Sequence, residues 1–116
     1  MDVIVPVPLT SARRRRRGFN QAALLAKGLG RERGLPVIEA LTRTRFGVAQ
    51  VGLSAAERRR NVAGAFAFRR DAGVEGLRLL VIDDVATTGA TLDACARALL
   101  QGGAKDVYGL TIARED

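Results

Sequence analysis

The chain has 116 residues and a formal net charge of +7, and 47% of its residues are hydrophobic. This length predicts one small domain with a single core. Because Cys95 is the only cysteine and histidine is absent, an internal disulfide, a cysteine-based zinc site and a histidine base are excluded. The basic charge favours an anionic partner: a phosphate-rich small molecule, nucleic acid or an acidic protein. Without a signal peptide or an apolar run of about 18 residues, we expect a cytoplasmic protein with no membrane span.

The first predicted element is a strand at residues 2–9, whose valines and isoleucine suit a buried parallel strand. Pro6 and Pro8 are expected to end it, since each removes a backbone hydrogen-bond donor. A central strand so close to Met1 predicts that a segment N-terminal to Met1, or another chain, covers that side of the domain.

A polar loop with five consecutive arginines, Arg13 to Arg17, follows this strand. If the neighbouring strands are parallel, the loop lies at the carboxyl edge of the sheet. Arginine suits phosphate there, because its planar fork donates two hydrogen bonds to one phosphate. The alternative is a solvated run of charge or an arm that contacts nucleic acid.

A helix is predicted at residues 19–34, with Asn20 as its N-cap and Gly34 at its end. Gly28 and Gly30 weaken this helix by about 1 kcal/mol each relative to alanine, and we expect them to allow close packing. The later predicted elements are a strand at 37–45, a mobile loop at 46–53, a short helix at 54–62, a strand at 64–68, a polar turn at 69–76, a helix at 92–103 and a strand at 106–113. Cys95 falls on the apolar side of its helix, which predicts a buried structural thiol.

The stretch at residues 79–91 organises the chain. Its four apolar residues predict a buried parallel strand, with Asp83 and Asp84 at the carboxyl end, where open α/β sheets bind ligands. Thr87 to Thr91 predict a loop that leads into a helix N-terminus, whose free amides and dipole favour phosphate. The carboxylates repel phosphate and suit sugar hydroxyls or a hydrated divalent cation. A ribose 5-phosphate with a magnesium-bound diphosphate satisfies both requirements; the alternative is a structural strand–turn–helix with two solvated aspartates.

This stretch resembles the binding motif for phosphoribosyl diphosphate (PRPP) in type I phosphoribosyltransferases: four apolar residues, Asp-Asp, two further apolar residues and Thr-Thr-Gly-Ala-Thr. Residues 17–21, Arg-Gly-Phe-Asn-Gln, resemble the narrower ComF-type group of competence proteins, also called amidophosphoribosyltransferase-like. Arg43 and Arg45 match an Arg-x-Arg element of that group. The resemblance implies an α/β fold, with a Rossmann-like, mostly parallel sheet flanked by helices. Neither the family's hood over the acceptor base nor the cysteine cluster of ComF-type proteins is recognisable.

The resemblance also implies roles for individual residues. Asp83 and Asp84 would serve catalysis by holding the ribose hydroxyls and a metal-bound water, and the implied cofactor is Mg²⁺. The residues that would bind the 5-phosphate are Ala86, Thr87, Thr88, Gly89, Ala90 and Thr91. In this family the loop after the first strand holds the diphosphate, which points to Arg13, Arg15 and Arg17.

Three functions stay open at this point. The first is a phosphoribosyltransferase that transfers ribose 5-phosphate to a nitrogen acceptor and releases diphosphate. The second is a non-catalytic module that binds PRPP or a nucleotide and acts with DNA-uptake or recombination proteins. The third is non-specific DNA binding through the arginine runs, although few aromatic residues are present for base stacking. The sequence names neither the acceptor nor the oligomeric state, so a homo-oligomer stays open too.

Overall fold

The computed structural model of the chain describes residues 1–8, 20–43, 65–86 and 89–114. Within these ranges it contains five strands, two α-helices and a single-turn 3₁₀ helix at Arg70–Ala72. The elements are, in chain order, β1 (Val3–Pro6), α1 (Gln21–Arg33), β2 (Leu41–Arg43), β3 (Phe66–Phe68), β4 (Arg78–Ala86), α2 (Ala90–Gln101) and β5 (Asp106–Arg114).

The main sheet is parallel, with β4 at its centre between β1 and β5. Successive side chains of β4 point to opposite faces, as in any strand. Leu79 and Val81 pack in the core cluster that includes α2, whereas Ile82 packs with Ala26 of α1 on the other face. The predicted α/β fold with a parallel sheet flanked by helices is thereby confirmed.

The segment that follows α1 leaves this sheet early. Val37 forms a single parallel bridge with Ile4, and the amide of Ala40 then donates to the carbonyl of Ile38 at 3.0 Å. This tight turn redirects the chain, so that β2 pairs with β3 in a separate antiparallel hairpin. The prediction of one strand over residues 37–45 is therefore wrong, because the turn divides it; residues 44–64, with the predicted loop and short helix, lie outside the described residues.

Both predicted ends of α1 are confirmed. The Asn20 side-chain oxygen accepts hydrogen bonds from the amides of Ala22 and Ala23 at 3.0 and 3.4 Å. Gly34 has φ of 68° and ends the helix in the left-handed conformation that glycine adopts without penalty. The local capping signals therefore set both boundaries of α1.

The two central glycines of α1 differ in their surroundings. A Cβ added at Gly30 would lie 2.7 Å from the carbonyl oxygen of Leu35 and 2.9 Å from Val37, whereas one added at Gly28 would meet nothing within 4 Å. The expected close packing therefore holds for Gly30 and is wrong for Gly28.

This contrast predicts opposite effects of two alanine substitutions. Gly28→Ala should raise the free energy of unfolding by about 0.5–1 kcal/mol, the helix-propensity gain. Gly30→Ala should lower it by about 1–2 kcal/mol, because overpacking against backbone exceeds that gain. Urea unfolding of both variants measures the difference, and equal stabilisation by the two substitutions would contradict the packing at Gly30.

No helix among the described residues is long and apolar enough to cross a membrane.

Candidate functional site

The carboxyl ends of β1 and β4 meet beside the two aspartates. Pro6 is in register with Ile82, and the amide of Val7, just after β1, donates to the carbonyl of Ile82 at 2.9 Å, so residues 7 and 8 run alongside the acidic pair. Strand β4 continues to Ala86, so Asp83 and Asp84 lie within the last four residues of the strand. The ladder with β5 accounts for this extension, because Asp83 is in register with Thr111 and Ala86 with Arg114.

The two aspartates are adjacent and half-buried. One side-chain oxygen of Asp83 accepts a hydrogen bond from the backbone amide of Asp84 at 2.9 Å. The hydroxyl of Thr111 donates to the carbonyl of Asp84 at 3.4 Å. Since alternate residues of a strand share a face, Asp83 lies on the side of Val81 and α2, and Asp84 on the side of Ile82 and α1. The pair is thus fixed to the sheet while staying within reach of solvent.

The surroundings of the two aspartates disfavour a negative charge on both carboxyl groups at once. Burial, followed by a side-chain hydrogen bond with Asp84 and the charge of Asp84, raises the pKa of Asp83 from 3.8 to about 6. The hydrogen bond from the backbone amide of Asp84 and the positive charge of Arg43 act in the opposite direction. A divalent cation or hydroxyl donors would offset this repulsion between the carboxylates.

Cys95 of α2 lies behind Asp83 and is fully buried. Burial and, secondly, the charge of Asp83 raise the pKa of this thiol to about 12. Because only the thiolate is a nucleophile or metal ligand, Cys95 serves packing, as the sequence predicts.

The predicted phosphate turn is described in part. Thr87 and Thr88 lie outside the described residues, while Gly89, Ala90 and Thr91 lie at the start of α2. Gly89 has φ of 80°, a left-handed conformation that favours glycine, and its carbonyl accepts from the amide of Asp93 at 2.9 Å. The N-terminus of a 12-residue helix therefore follows the acidic strand directly, with its dipole positive toward the carboxyl edge.

The candidate diphosphate ligands Arg13, Arg15 and Arg17 lie outside the described residues, but the segment that carries them begins and ends at this site. The side-chain amide of Asn20 donates to the carbonyl of Val7 at 3.2 Å while its oxygen caps α1. The sequence predicts the cap but not the hydrogen bond from Asn20 to Val7. An available signal was the residue type, since asparagine, unlike serine or aspartate, carries both a carbonyl and an amide group.

Arg43, at the end of β2, is the second residue whose place the sequence did not reveal. Its Nε donates to the carbonyl of Pro8 at 2.7 Å, and its guanidinium lies 4.8 Å from the centroid of the Phe66 ring. A match to an Arg-x-Arg element carried no information about either contact.

The carboxylate oxygens of Asp83 and Asp84 are the hard donors that Mg²⁺ prefers. No group of three or more histidine, cysteine, aspartate or glutamate side chains suited to a metal occurs in the described parts of the chain. This donor set fits Mg²⁺, which is usually held by one or two carboxylates together with substrate phosphates and water.

Comparison with known proteins gives no matching family model. The chain is 45% identical over 114 residues to DNA utilization protein YhgH of Escherichia coli O157:H7. The matched region covers 97% of this chain and 49% of that protein. It is 36% identical over 115 residues to competence protein F of Haemophilus influenzae, covering 97% of this chain and 50% of the relative. Competence protein ComFC of Bacillus subtilis is also 36% identical, over 113 residues, and the match covers 97% of this chain and 44% of that protein. The chain thus spans about half the length of the curated relatives it matches.

Solved structures show the same fold. Glutamine PRPP amidotransferase of B. subtilis superposes with a TM-score of 0.62 at 27% identity, over 95% of this chain and 22% of that one. Adenine phosphoribosyltransferase of Saccharomyces cerevisiae superposes with a TM-score of 0.60 at 16% identity, over 100% of this chain and 57% of that one, a likeness of fold alone. The chain is a homologue of the ComF-type competence proteins, built on the fold of the type I phosphoribosyltransferases.

Proposed function

We propose that this domain binds PRPP, or another ribose 5-phosphate compound, together with Mg²⁺, and transfers the phosphoribosyl group to a nitrogen acceptor with release of diphosphate. One observation carries the proposal: the half-buried pair Asp83 and Asp84 on the central strand is followed at once by the N-terminus of α2. Such a juxtaposition offers acceptors for sugar hydroxyls beside amide donors for a phosphate.

Each half of the arrangement has one role. Asp83 and Asp84 accept hydrogen bonds from the ribose hydroxyls, which a carboxylate can do with either oxygen. The turn ending at Gly89, with Ala90 and Thr91, receives the 5-phosphate, because the dipole of α2 is positive at this end and favours an anion. Glycine at position 89 leaves room for the backbone to approach the phosphate.

The diphosphate end requires positive charge. Mg²⁺ bound near the acidic pair would neutralise charge on the departing diphosphate. Arg13, Arg15 and Arg17 are the side chains we assign to its oxygens. Support comes from the hydrogen bond between the Asn20 side chain and the Val7 carbonyl. This bond brings both ends of the segment that carries the arginines to the carboxyl edge of the sheet.

The reaction breaks the bond between ribose carbon 1 and the diphosphate oxygen, and the nitrogen acceptor forms the new bond to that carbon. Positive charge develops on the sugar, and the two aspartates, which hold the sugar hydroxyls in this proposal, would stabilise that charge. Positioning of the reactants supplies the rest of the rate enhancement. No step needs a histidine, so the absence of that residue is compatible with the chemistry.

Thermal unfolding of the wild-type protein tests the binding half of the proposal. A ligand at a hundred times its dissociation constant stabilises a domain by about 2.7 kcal/mol, which corresponds to a rise in melting temperature of roughly 10 °C or more for a domain of this size. We expect such a rise with Mg²⁺ and PRPP and a smaller one with ribose 5-phosphate. Unphosphorylated ribose is the matched control, and an equal rise with ribose would contradict a phosphate site.

The relatives' names, competence protein and DNA utilization protein, favour a second candidate. In it the site binds PRPP or a nucleotide without turnover and serves as a sensor that works with DNA-uptake or recombination proteins. Incubation with Mg²⁺, PRPP and a panel of nitrogenous bases separates the two. Release of diphosphate that depends on the base supports the transferase, whereas binding without release supports the module.

A further inference from the structure

Arg43 joins three parts of the candidate site. It is the last residue of β2 and lies directly opposite Phe66 in the hairpin register. Its Nε donates to the carbonyl of Pro8 at 2.7 Å, 35 residues away in sequence. Pro6 is in register with Ile82 and the amide of Val7 donates to Ile82, so Pro8 lies near the acidic pair of β4, and Arg43 therefore reaches the acidic strand from the hairpin.

The contacts of Arg43 require an arginine. The planar guanidinium rests over the Phe66 ring at 4.8 Å from its centroid, within the range of a cation–π interaction. In the same orientation Nε remains in the plane of the group and donates to Pro8. Lysine would keep the charge, but a single flexible ammonium lacks the fork that stacks and donates together.

The charge of Arg43 also acts on the acidic side of the site. It lowers the pKa of Asp83 and of Cys95, in both cases against a larger effect of burial. Within the described ranges, the charged and titratable groups around Asp83 include Asp84 on its own strand, Arg43 from the hairpin and Cys95 from α2.

We propose that Arg43 is a positioning residue of the candidate ribose-phosphate site, which ties the carboxyl end of β1 and the β2–β3 hairpin to the acidic pair of β4. This inference rests on the proposed function. Arg43 holds Pro8 and Asp83 in their relative positions before ligand binds, and it contributes to affinity through the ribose end of the ligand, where Asp83 acts. A preorganised site of this kind loses affinity when its supporting contacts are removed.

The test compares Arg43→Met with a matched variant, Arg69→Met. Arg69 follows β3 of the same hairpin, donates to the carbonyl of Glu39 at 3.5 Å and forms an ion pair with Asp71. Calorimetry gives the dissociation constants of ribose 5-phosphate and of PRPP with Mg²⁺ for each variant. Urea unfolding gives the stability of each, and Arg43→Lys serves as a milder variant should Arg43→Met fail to fold.

A positioning residue should weaken both ligands by the same factor, about 10-fold for Arg43→Met, and less for Arg43→Lys. Arg69→Met should stay within about twofold of the wild type, the scatter expected for a surface substitution. A loss confined to PRPP would show direct contact with the diphosphate and overturn the inference, as would wild-type affinities in both Arg43 variants. If the wild type itself binds neither ligand, the proposed function fails and this inference fails with it.

Discussion

Asp83→Asn is expected to stabilise the ligand-free domain at neutral pH and to abolish its stabilisation by PRPP and Mg²⁺. The wild-type carboxyl is costly to ionise, since burial and the neighbouring Asp84 raise its pKa from 3.8 to about 6. Asparagine removes that charge yet keeps an oxygen that accepts from the Asp84 amide. The same change removes one of the two carboxylates assigned to the ribose hydroxyls and Mg²⁺, so opposite effects in the free and bound states are expected.

The stabilisation should depend on pH in one direction. Below the unfolded-state pKa of 3.8 the carboxyl is protonated in both states, and ionisation carries no penalty. Between the unfolded-state value of 3.8 and the folded-state value of about 6, the unfolded state has released its proton while the folded state keeps it. The wild type therefore loses stability relative to Asp83→Asn as pH rises through this range, and the loss is complete above pH 6. The pKa change corresponds to at most about 3 kcal/mol, and partial exposure reduces this to about 1–2 kcal/mol above pH 6.

Urea unfolding from pH 4 to pH 8 measures this gap, and thermal unfolding with PRPP and Mg²⁺ measures the bound state. Asp93→Asn is the matched control, because Asp93 lies on the first turn of α2 and is largely exposed in its ion pair with Arg97. That control should retain the ligand-dependent rise. A full rise in melting temperature with Asp83→Asn would mean that the ligand does not use Asp83.

The parts of the site that the sequence predicts correctly depend on local patterns. The apolar run before Asp83, the glycine at position 89 and the apolar side of α2 lie within one short stretch, and together they predict a strand, a turn and a helix. The caps at Asn20 and Gly34 are equally local, because a helix end is satisfied by residues within one turn of it. Each of these features can be interpreted without knowing which strands are neighbours.

The features that the sequence did not reveal depend on contacts between distant residues. Arg43 meets Pro8 across 35 residues, and Asn20 meets Val7 across 13. The turn at Ala40 that takes β2 out of the sheet is equally hidden, since the apolar residues around it would suit a continuous strand. The ligand roles assigned to Asp83, Asp84 and residues 86–91, and to the arginines at 13, 15 and 17, all stay predictions. Of these residues, Thr87, Thr88 and the three arginines also lie outside the described ranges.

Asn20→Ala is expected to be the most destabilising of the proposed substitutions. Asn20 is 6% exposed, and its side chain both accepts from the first amides of α1 and donates to Val7. Loss of the cap costs about 0.5–2 kcal/mol, and a buried carbonyl that loses its donor costs about 1–3 kcal/mol. We therefore expect a total of about 1.5–5 kcal/mol, measured by urea unfolding.

Asn20→Ser separates the two contributions, because serine caps a helix well but has no amide that could reach Val7. It should cost only the second contribution, about 1–3 kcal/mol. The effect on ligand affinity should differ from that of the Arg43 variants. Because Asn20 holds together the two ends of the segment that carries Arg13, Arg15 and Arg17, Asn20→Ser should weaken the binding of PRPP more than that of ribose 5-phosphate. An equal loss for both ligands would place the effect at the ribose end and would contradict the assignment of these arginines to the diphosphate.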